Sequence, residues 1–325
     1  GGGGANCRFR IRLAGIVAFL SCAGSFVASD PFMVVSIDEL NCLDCLLWLG
    51  EGRAAADKIC VAQSTLSRNA RAAAAKLYVS LSKRDSEWHV SGDQQILCSE
   101  RLLHQQIRWA RNLPLRLDAQ FYSGPFLADG LSQTQFLLGN FDLLDTRKPF
   151  ALLRAGVLDA WIAGYPDVPD PEDEDLACFR LTRLPLKLAV STSHPLLQKG
   201  DGLCLDDVAA YPCMALPDGA FPRIEQILKG LGLWNSPIRM RRYDPAKWLG
   251  QTQDQVTVAY ASSFSIGLFP EPMEFLPLDL GVEVGEAVVV KRDYVSHPRF
   301  RSLLLNLQQR SAALASQYDD ISVEF

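Results

Sequence analysis

The sequence Ala-Gln-Ser-Thr-Leu-Ser-Arg at residues 62–68 carries the strongest structural signal in this chain. It follows an alanine-rich segment, residues 53–60, across a short connection at Val61. This order predicts a helix, a tight turn and a second helix whose first turns carry small polar side chains and an arginine. The alanines allow the first helix to pack closely against the second. The stretch therefore predicts a helix-turn-helix.

In a helix-turn-helix the second helix enters the major groove of DNA, where its first turns reach bases and phosphates. A glutamine side chain can pair with adenine through two hydrogen bonds, and an arginine can pair with guanine or a phosphate. Serine and threonine hydroxyls, together with free N–H groups at a helix start, suit phosphate oxygens. The expected DNA-contacting residues are Gln63, Ser64, Thr65, Ser67, Arg68 and Arg71.

The charge distribution agrees with a local contact to nucleic acid. The chain of 325 residues has a formal net charge of −5, which argues against a general nucleic-acid binder. Residues 53–84, however, contain seven Lys and Arg residues and one acid, Asp57. A solvated helix face would also explain this run of positive charge, but the polar start of the second helix favours DNA.

The same region resembles the DNA-binding part of LysR-type transcriptional regulators. The matching positions are Arg53, Ala54, Ala55, Ile59, Val61, Gln63, Leu66, Ser67, Arg68, Leu77, Val79, Leu81 and Arg84. Further similarity lies at residues 152–159, 194–196, 205–208 and 265–267. The resemblance implies an α/β protein with an all-α N-terminal part: a winged helix-turn-helix, a linker helix for dimerisation, and a two-lobed effector domain like a periplasmic binding protein.

The first 32 residues differ from the rest of the chain. Arg8, Arg10 and Arg12 precede an apolar run that ends in small residues, which is the pattern of a secretory signal peptide. The first methionine is Met33, and the family-like pattern begins directly after it. We therefore expect residues 1–32 to be an extension outside the functional fold of a cytoplasmic protein. A true signal peptide would instead indicate a secreted or lipid-anchored solute-binding protein.

The DNA-binding domain is expected to span residues 33–92. The pattern Ser36-x-x-Glu39 is a capping box, which predicts the start of an apolar helix. The helix-turn-helix and a wing follow that helix. Cys42 and Cys45 fall on its apolar pattern, and we expect them to be buried thiols.

A linker helix is expected over residues 93–113, which contain no internal Gly or Pro. Ile96, Leu103 and Ala110 recur every seven residues in this segment. A narrow apolar seam of this kind suits a helix that pairs with its copy from another subunit. A helix packed on its own chain is the alternative.

The remaining residues, 114–325, predict an α/β domain with a largely parallel sheet, because short apolar runs alternate with helical patterns. The predicted strands and helices lie at residues 115–121, 136–143, 146–155, 158–163, 186–191, 221–231 and 256–260. The resemblance implies one lobe over residues 115–189 and 266–325, and a second over 190–265. The loop at residues 166–175 is rich in Pro and Asp and is expected to be a solvated connection.

An effector site is expected between the lobes, at strand ends and helix N-termini. Small polar groups at helix N-termini would favour a carboxylate or another small anion. By resemblance, the effector-binding residues are Tyr122, Ser123, Gly124, Thr146, Pro217, Asp218, Gly219 and Ala220. Ordinary turn residues are the alternative at each position.

Enzyme motifs are not found in the sequence: it contains no G-x-S-x-G, no P-loop and no dinucleotide fingerprint. Its four histidines show no ligand spacing, and its nine cysteines are scattered without a framework. Cys42 and Cys45 form a C-x-x-C, for which a redox pair or metal site is the alternative to buried thiols. The sequence therefore indicates a regulator without a catalytic, metal or cofactor site. Its expected partners are double-stranded DNA, a small effector and further copies of the chain, as a homodimer or a dimer of dimers.

Overall fold

The computed structural model of this protein describes residues 35–233 and 235–324. The expectations for residues 1–32 and for a start at Met33 lie outside these ranges. Among the described residues, no helix is long and apolar enough to cross a lipid bilayer.

The first part of the described chain is a winged helix-turn-helix, as predicted. Its elements are α1 (Ile37–Leu49), α2 (Gly52–Lys58), α3 (Gln63–Lys76), β1 (Ser80–Arg84) and β2 (Glu87–Ser91). The capping box is present: Ser36 Oγ accepts from Glu39 N at 3.1 Å, and Ser36 N donates to Glu39 Oε2 at 2.9 Å. α1 ends at Gly50, whose φ of 72° favours a residue without a side chain. The wing is the antiparallel hairpin of β1 and β2.

The predicted linker helix is α4 (Gln95–Ala110), and its buried face is mostly polar. The residues buried against the chain are Leu97, Arg101, Gln105, Arg108 and Trp109. The predicted seam lies on a different face, since Ile96 and Leu103 are each 52% exposed. α4 therefore packs on its own chain through polar side chains and leaves the apolar seam uncovered.

The rest of the chain alternates strands and helices, and every predicted element overlaps an observed one. The elements are β3 (Leu115–Ala119), α5 (Gly124–Leu127), β4 (Phe136–Leu138), α6 (Arg147–Arg154), β5 (Ala160–Tyr165), β6 (Leu176–Arg180), β7 (Thr182–Pro185), β8 (Lys187–Ser191), α7 (Leu205–Ala209), α8 (Pro222–Gly230), α9 (Pro245–Leu249), β9 (Ala259–Ala261), β10 (Met273–Phe275), β11 (Glu283–Lys291), α10 (Pro298–Ala315) and β12 (Ser322–Val323). The central strand β11 was not expected. A strand buried on both faces shows no alternation of polar and apolar residues, so its pattern is hard to recognise.

Two sheets form the two lobes. The larger has the order β12-β7-β11-β5-β3-β4, with β6 also paired to β11, and the smaller has the order β10-β8-β9. Among the described strands, only β3–β4 and β3–β5 are parallel pairs. The prediction of a largely parallel sheet is therefore wrong: β11 returns antiparallel beside β5 and makes the larger sheet mixed.

The division of the chain between the lobes differs from the expected one at β10. Residues 266–325 were expected in the first lobe, but Met273–Phe275 pairs with β8 in the smaller sheet. Backbone pairing across a sheet, which the local sequence does not encode, decides this placement. We therefore propose residues 187–275 as the extent of the second lobe.

The winged helix-turn-helix and the first lobe share one hydrophobic core. Leu43 and Leu46 of α1 belong to the same buried cluster as Trp161, Leu176 and Val289, which lie on one face of the larger sheet. A second cluster, which includes Phe300 and Leu303 of α10, covers the opposite face. Cys42 and Cys45 are buried in the first cluster, as expected. The winged helix-turn-helix is thus packed directly on the effector domain of its own chain.

Candidate DNA-binding face and effector cavity

The start of α3 presents an exposed polar surface. Ser64, Arg68 and Arg71 are exposed and share one helix face at spacings of four and three residues, and Gln63 is exposed beside them. Thr65 and Ser67 are half-buried. Leu66, Ala70, Ala73 and Ala74 are buried on the other side, against α1 and α2. The apolar side of α3 thus fixes which of its polar residues face outward.

The N-terminal N–H groups of α3 lack a side-chain cap. Residue Ala62 occupies the capping position, and it has no side-chain oxygen to accept from the first turn. Free N–H groups at a helix start carry the positive end of the helix dipole and attract an anion such as a phosphate. The exposed hydroxyl of Ser64 and the guanidinium of Arg68 lie on the same turns.

The wing is held to the second lobe by a half-buried arginine, Arg242. Arg242 donates from Nε to Glu87 Oε1 at 2.6 Å, from Nη1 to Asp142 Oδ1 at 2.7 Å and from Nη2 to the carbonyl of Trp48 at 2.9 Å. Lys148 also contacts the Glu87 carboxylate. Burial raises the pKa of Glu87, but the hydrogen bonds and charges of Arg242 and Lys148 outweigh it and leave this pKa below its usual value. Arg242 therefore joins the wing, the end of α1 and both lobes.

A second buried ion cluster joins α1 to α4 and the larger sheet. Asp44 accepts from Arg101 Nε at 2.7 Å and from Arg116 Nη1 at 3.1 Å. Arg116 also donates from Nη2 to Asn41 Oδ1 at 2.7 Å. Burial raises the pKa of Asp44, but the charges of the two arginines outweigh it and lower the pKa. The carboxylate of Asp44 is therefore ionised and fully paired.

A cavity of about 110 Å³ lies between the lobes. Its aromatic lining residues are Phe121, Tyr122, Tyr165, Phe221, Tyr243, Trp248, Tyr260 and Phe269. Phe121 stacks on Tyr243, with ring centroids 4.1 Å apart. The hydroxyl of Tyr122 fits over Gly164, where a Cβ would lie only 1.8 Å from it. This lining resembles a typical small-molecule site, which is mostly apolar with a few polar groups.

The charged side chains at the cavity are carboxylates. Asp167 and Glu286 line it and are only 4% and 2% exposed, and among the described residues no Lys, Arg or His lines it. Burial raises the pKa of Glu286 to about 7, although a hydrogen bond from Thr182 and the charge of Arg180 oppose the shift. Burial likewise raises the pKa of Asp167 to about 6 against the N–H groups at the start of α8. The lining therefore does not favour the small anion expected from the sequence.

The expected effector residues divide into two groups. Tyr122 lines the cavity, whereas the other seven expected residues do not. Thr146 donates from N to the Gly219 carbonyl at 3.3 Å, which brings two of the expected segments into contact. The ring of Phe141 covers Gly124, where a Cβ would lie 2.4 Å from it. The role of these seven residues in effector binding remains a prediction.

Three residues central to these sites were not expected. Asp167 lies in the loop at residues 166–175, which was expected to be a solvated connection. Residues 170–172, 174 and 175 are exposed, but Asp167 is buried. Its Oδ1 accepts from Arg223 N at 2.6 Å, so docking against α8 buries it. Glu286 lies on the unexpected strand β11, and Arg242 lies in a loop. An acid directly before the apolar run at residues 287–290 was the one available signal, at Glu286.

Known proteins place this architecture in a family. Residues 140–310, more than half of the chain, match the family model of the LysR substrate binding domain. A full-length cysteine-to-aspartate variant of OxyR from Pseudomonas aeruginosa has a TM-score of 0.54 at 18% identity, over 90% of this chain and 99% of that one. The effector binding domain of a BenM variant has a TM-score of 0.50 at 19% identity, over 65% of this chain and 99% of that one. Comparison with curated proteins gives no significant match.

The fold comparison and the family model both point to LysR-type proteins. The OxyR structure covers both the winged helix-turn-helix and the two lobes, and the family model covers most of the effector domain. A solute-binding protein would leave the first 5 described helices and strands unexplained, whereas a regulator accounts for them. The chain belongs to the LysR family of transcriptional regulators.

Proposed function

We propose that the exposed face of α3 binds double-stranded DNA through Gln63, Ser64, Thr65, Ser67, Arg68 and Arg71. The observation that carries this proposal is the pairing of an uncapped helix start with Ser64, Arg68 and Arg71 on one exposed face. Phosphates would meet the free N–H groups, and the longer side chains would reach base edges. Contact with chromosomal DNA implies a cytoplasmic location.

Gel-shift titration with genomic DNA fragments tests this proposal. We expect Arg68→Ala to weaken binding by about 1–3 kcal/mol if the guanidinium pairs with a base. Arg301→Ala is the matched control, because Arg301 is an exposed arginine on α10 and far from α3 in sequence. We also expect wild-type binding to weaken steeply as salt rises, because phosphate contacts release counterions. Equal affinity of the two variants would remove Arg68 from the interface.

The interlobe cavity is proposed as the effector site, with Arg242 as its connection to the wing. Tyr243 lines the cavity and is stacked on Phe121, and the adjacent Arg242 binds Glu87 of β2. A ligand that moves Tyr243 would therefore change the position of Arg242 and the support of the wing. Ligand and DNA would then affect each other's binding reciprocally.

A dimer through α4 completes the proposed function. Ile96 and Leu103 form an exposed apolar seam, and Leu102 and Leu113 add exposed apolar surface near it. Sedimentation of Leu103→Glu should show a larger monomer fraction than the wild type, because a charge would replace apolar packing across the seam. Gln309→Glu adds the same charge at an exposed position of α10, outside the seam, and is the control. A dimer unaffected by Leu103→Glu would exclude this seam.

A further inference from the structure

The two carboxylates of the interlobe cavity, Asp167 and Glu286, form no ion pair with any basic side chain among the described residues. Asp167 Oδ1 accepts from the start of α8, but its Oδ2 is buried without a hydrogen-bond partner. The nearest guanidinium, that of Arg223, is bound to the Pro166 carbonyl and to Asp170. A buried carboxylate oxygen without a hydrogen-bond partner lowers the stability of the fold, because its lost hydration is not replaced. A ligand that donates a hydrogen bond to this oxygen would restore that stability.

Glu286 is in a similar position. Its carboxylate accepts from the Thr182 hydroxyl and from no cation that the structure describes within ion-pair distance. The neighbouring Arg180 donates to Glu283 and lies over the ring of Tyr165, with 3.8 Å between its guanidinium carbon and the ring centroid. The two cavity carboxylates therefore remain available to a positively charged ligand.

The aromatic walls suit the same kind of ligand. Tyrosine and tryptophan rings attract cations over their faces and also bury the apolar part of a ligand. Phe121, Tyr243 and Trp248 supply such faces on one side of the cavity. An organic anion would meet two carboxylates and no neutralising charge, which opposes its binding by repulsion.

We propose that the effector of this regulator is a small amine with an apolar or aromatic body, whose ammonium group binds between Asp167 and Glu286. This proposal rests on the interlobe cavity being the effector site. The ammonium group would donate to Asp167 Oδ2, and the apolar body would lie against Phe121, Tyr243 and Trp248. A bound ammonium would also return the raised pKa values of both carboxyl groups toward their usual range.

Calorimetry on the full chain with three probes of similar shape tests the ligand class. The probes are phenethylamine, 2-phenylethanol and 3-phenylpropionate, which are cationic, neutral and anionic near neutral pH. We expect the amine to bind at least about tenfold more tightly than the alcohol, and the carboxylate to bind most weakly. This ranking needs no variant. Equal or tighter binding of the carboxylate, or no measurable binding of the amine, overturns the proposal.

A variant that removes charge and keeps shape tests the role of Asp167. Asp167→Asn keeps an oxygen that can accept from the start of α8, so we expect it to fold. It should reduce the preference for amine over alcohol by about tenfold and leave alcohol binding unchanged. Glu274→Gln, on an exposed position of β10, is the control. An unchanged preference in Asp167→Asn contradicts the proposed contact.

The outcomes separate the ligand class from the wider function. If the carboxylate probe binds and Trp248→Ala abolishes its binding, the cavity is the effector site and only the amine is wrong. If no probe binds, the amine proposal fails, and a gel shift on the same preparation shows whether DNA binding stands without it. If phenethylamine binds and changes DNA affinity, both the ligand class and the coupling are supported.

Discussion

Two regions of this molecule bury carboxylates, and they differ in whether basic side chains pair with those carboxylates. At the contact between the winged helix-turn-helix and the effector domain, Asp44 and Glu87 each bind two basic side chains. In the interlobe cavity, Asp167 and Glu286 bind none within ion-pair distance among the described residues. The pKa is lowered at the first pair and raised at the second.

The difference separates a structural contact from a binding site. In a buried ion pair the basic partners neutralise the carboxylate, and removing one partner strongly destabilises the protein. Buried groups without partners carry a cost that a ligand can relieve, which is why perturbed carboxyl groups in a cleft indicate function. The first region therefore fixes the position of the winged helix-turn-helix, and the second has the features expected of the proposed effector site.

The largest expected loss of stability is at the ion cluster around Asp44. Asp44→Ala leaves Arg101 and Arg116 buried without their shared carboxylate, so we expect the free energy of unfolding to fall by about 3–5 kcal/mol. Urea denaturation near neutral pH measures this loss. Glu225→Ala, which breaks an exposed pair with Lys229 on α8, should cost less than about 1 kcal/mol. Similar losses in both variants would erase the distinction between the two regions.

The second effect is a pH dependence of opposite sign in the two regions. The pKa of Glu286 rises from 4.5 in the unfolded chain to about 7 in the fold, so its contribution to stability is present below the lower value and is lost as pH rises through the higher. For Asp44 the folded pKa is lowered, so stability is lost as pH falls through that pKa.

Unliganded wild type should therefore lose on the order of 3 kcal/mol relative to Glu286→Gln between about pH 5 and pH 8, at 1.36 kcal/mol per pKa unit. Urea titrations of both proteins across this range measure the difference. Glutamine keeps an oxygen that can accept from Thr182, so the comparison isolates the charge. Parallel stability curves would show that Glu286 does not titrate in this range.

A smaller effect is expected where Arg242 holds the wing. Arg242→Met removes charge-assisted hydrogen bonds to Glu87 and Asp142, and we expect a loss of about 2 kcal/mol. Hydrogen exchange should show faster exchange of the β1–β2 amides. A gel shift should show a weaker effect of phenethylamine on DNA affinity. Arg301→Met is the control, because Arg301 is an exposed arginine on α10, whereas Arg241 pairs with Asp85 in the turn of the wing. Unchanged wing protection in Arg242→Met would exclude it as the connection.

The smallest effect concerns a carboxyl group that belongs to neither class. Asp118 accepts from the indole nitrogen of Trp48 at 2.7 Å and from two backbone amides, without a paired cation, and burial raises its pKa to about 7. Trp48→Phe removes one hydrogen bond while retaining most of the buried ring. We expect a loss of about 1 kcal/mol by urea denaturation, in contrast to the larger loss in Asp44→Ala. A loss as large as that of Asp44→Ala would mean that this bond holds the interface together.

Local features were predictable where neighbouring residues define them. The capping box at Ser36 and the spacing of polar and apolar residues in α3 both appear in the fold as expected. Placement was not predictable where distant segments decide it. α4 has an obvious apolar seam, yet the fold buries its arginines instead, because Asp44 and Asp159 lie opposite them.

The candidate effector site shows the same limit. Tyr122 was expected from its place after a strand, and it lines the cavity. Asp167 was expected in solvent, since a loop rich in aspartate is usually solvated, but capping of α8 brings it into the cavity. The other seven expected residues do not line this cavity, and their role remains a prediction.

The sequence by itself determined that this chain carries a winged helix-turn-helix with a basic, polar recognition helix, because helix caps, turns and side-chain periodicity act over a few residues. Only the tertiary structure decided which acids are paired with arginines and which are left facing a cavity. Charge pairing depends on the meeting of segments as distant as Glu87 and Arg242, and on the removal of water around them.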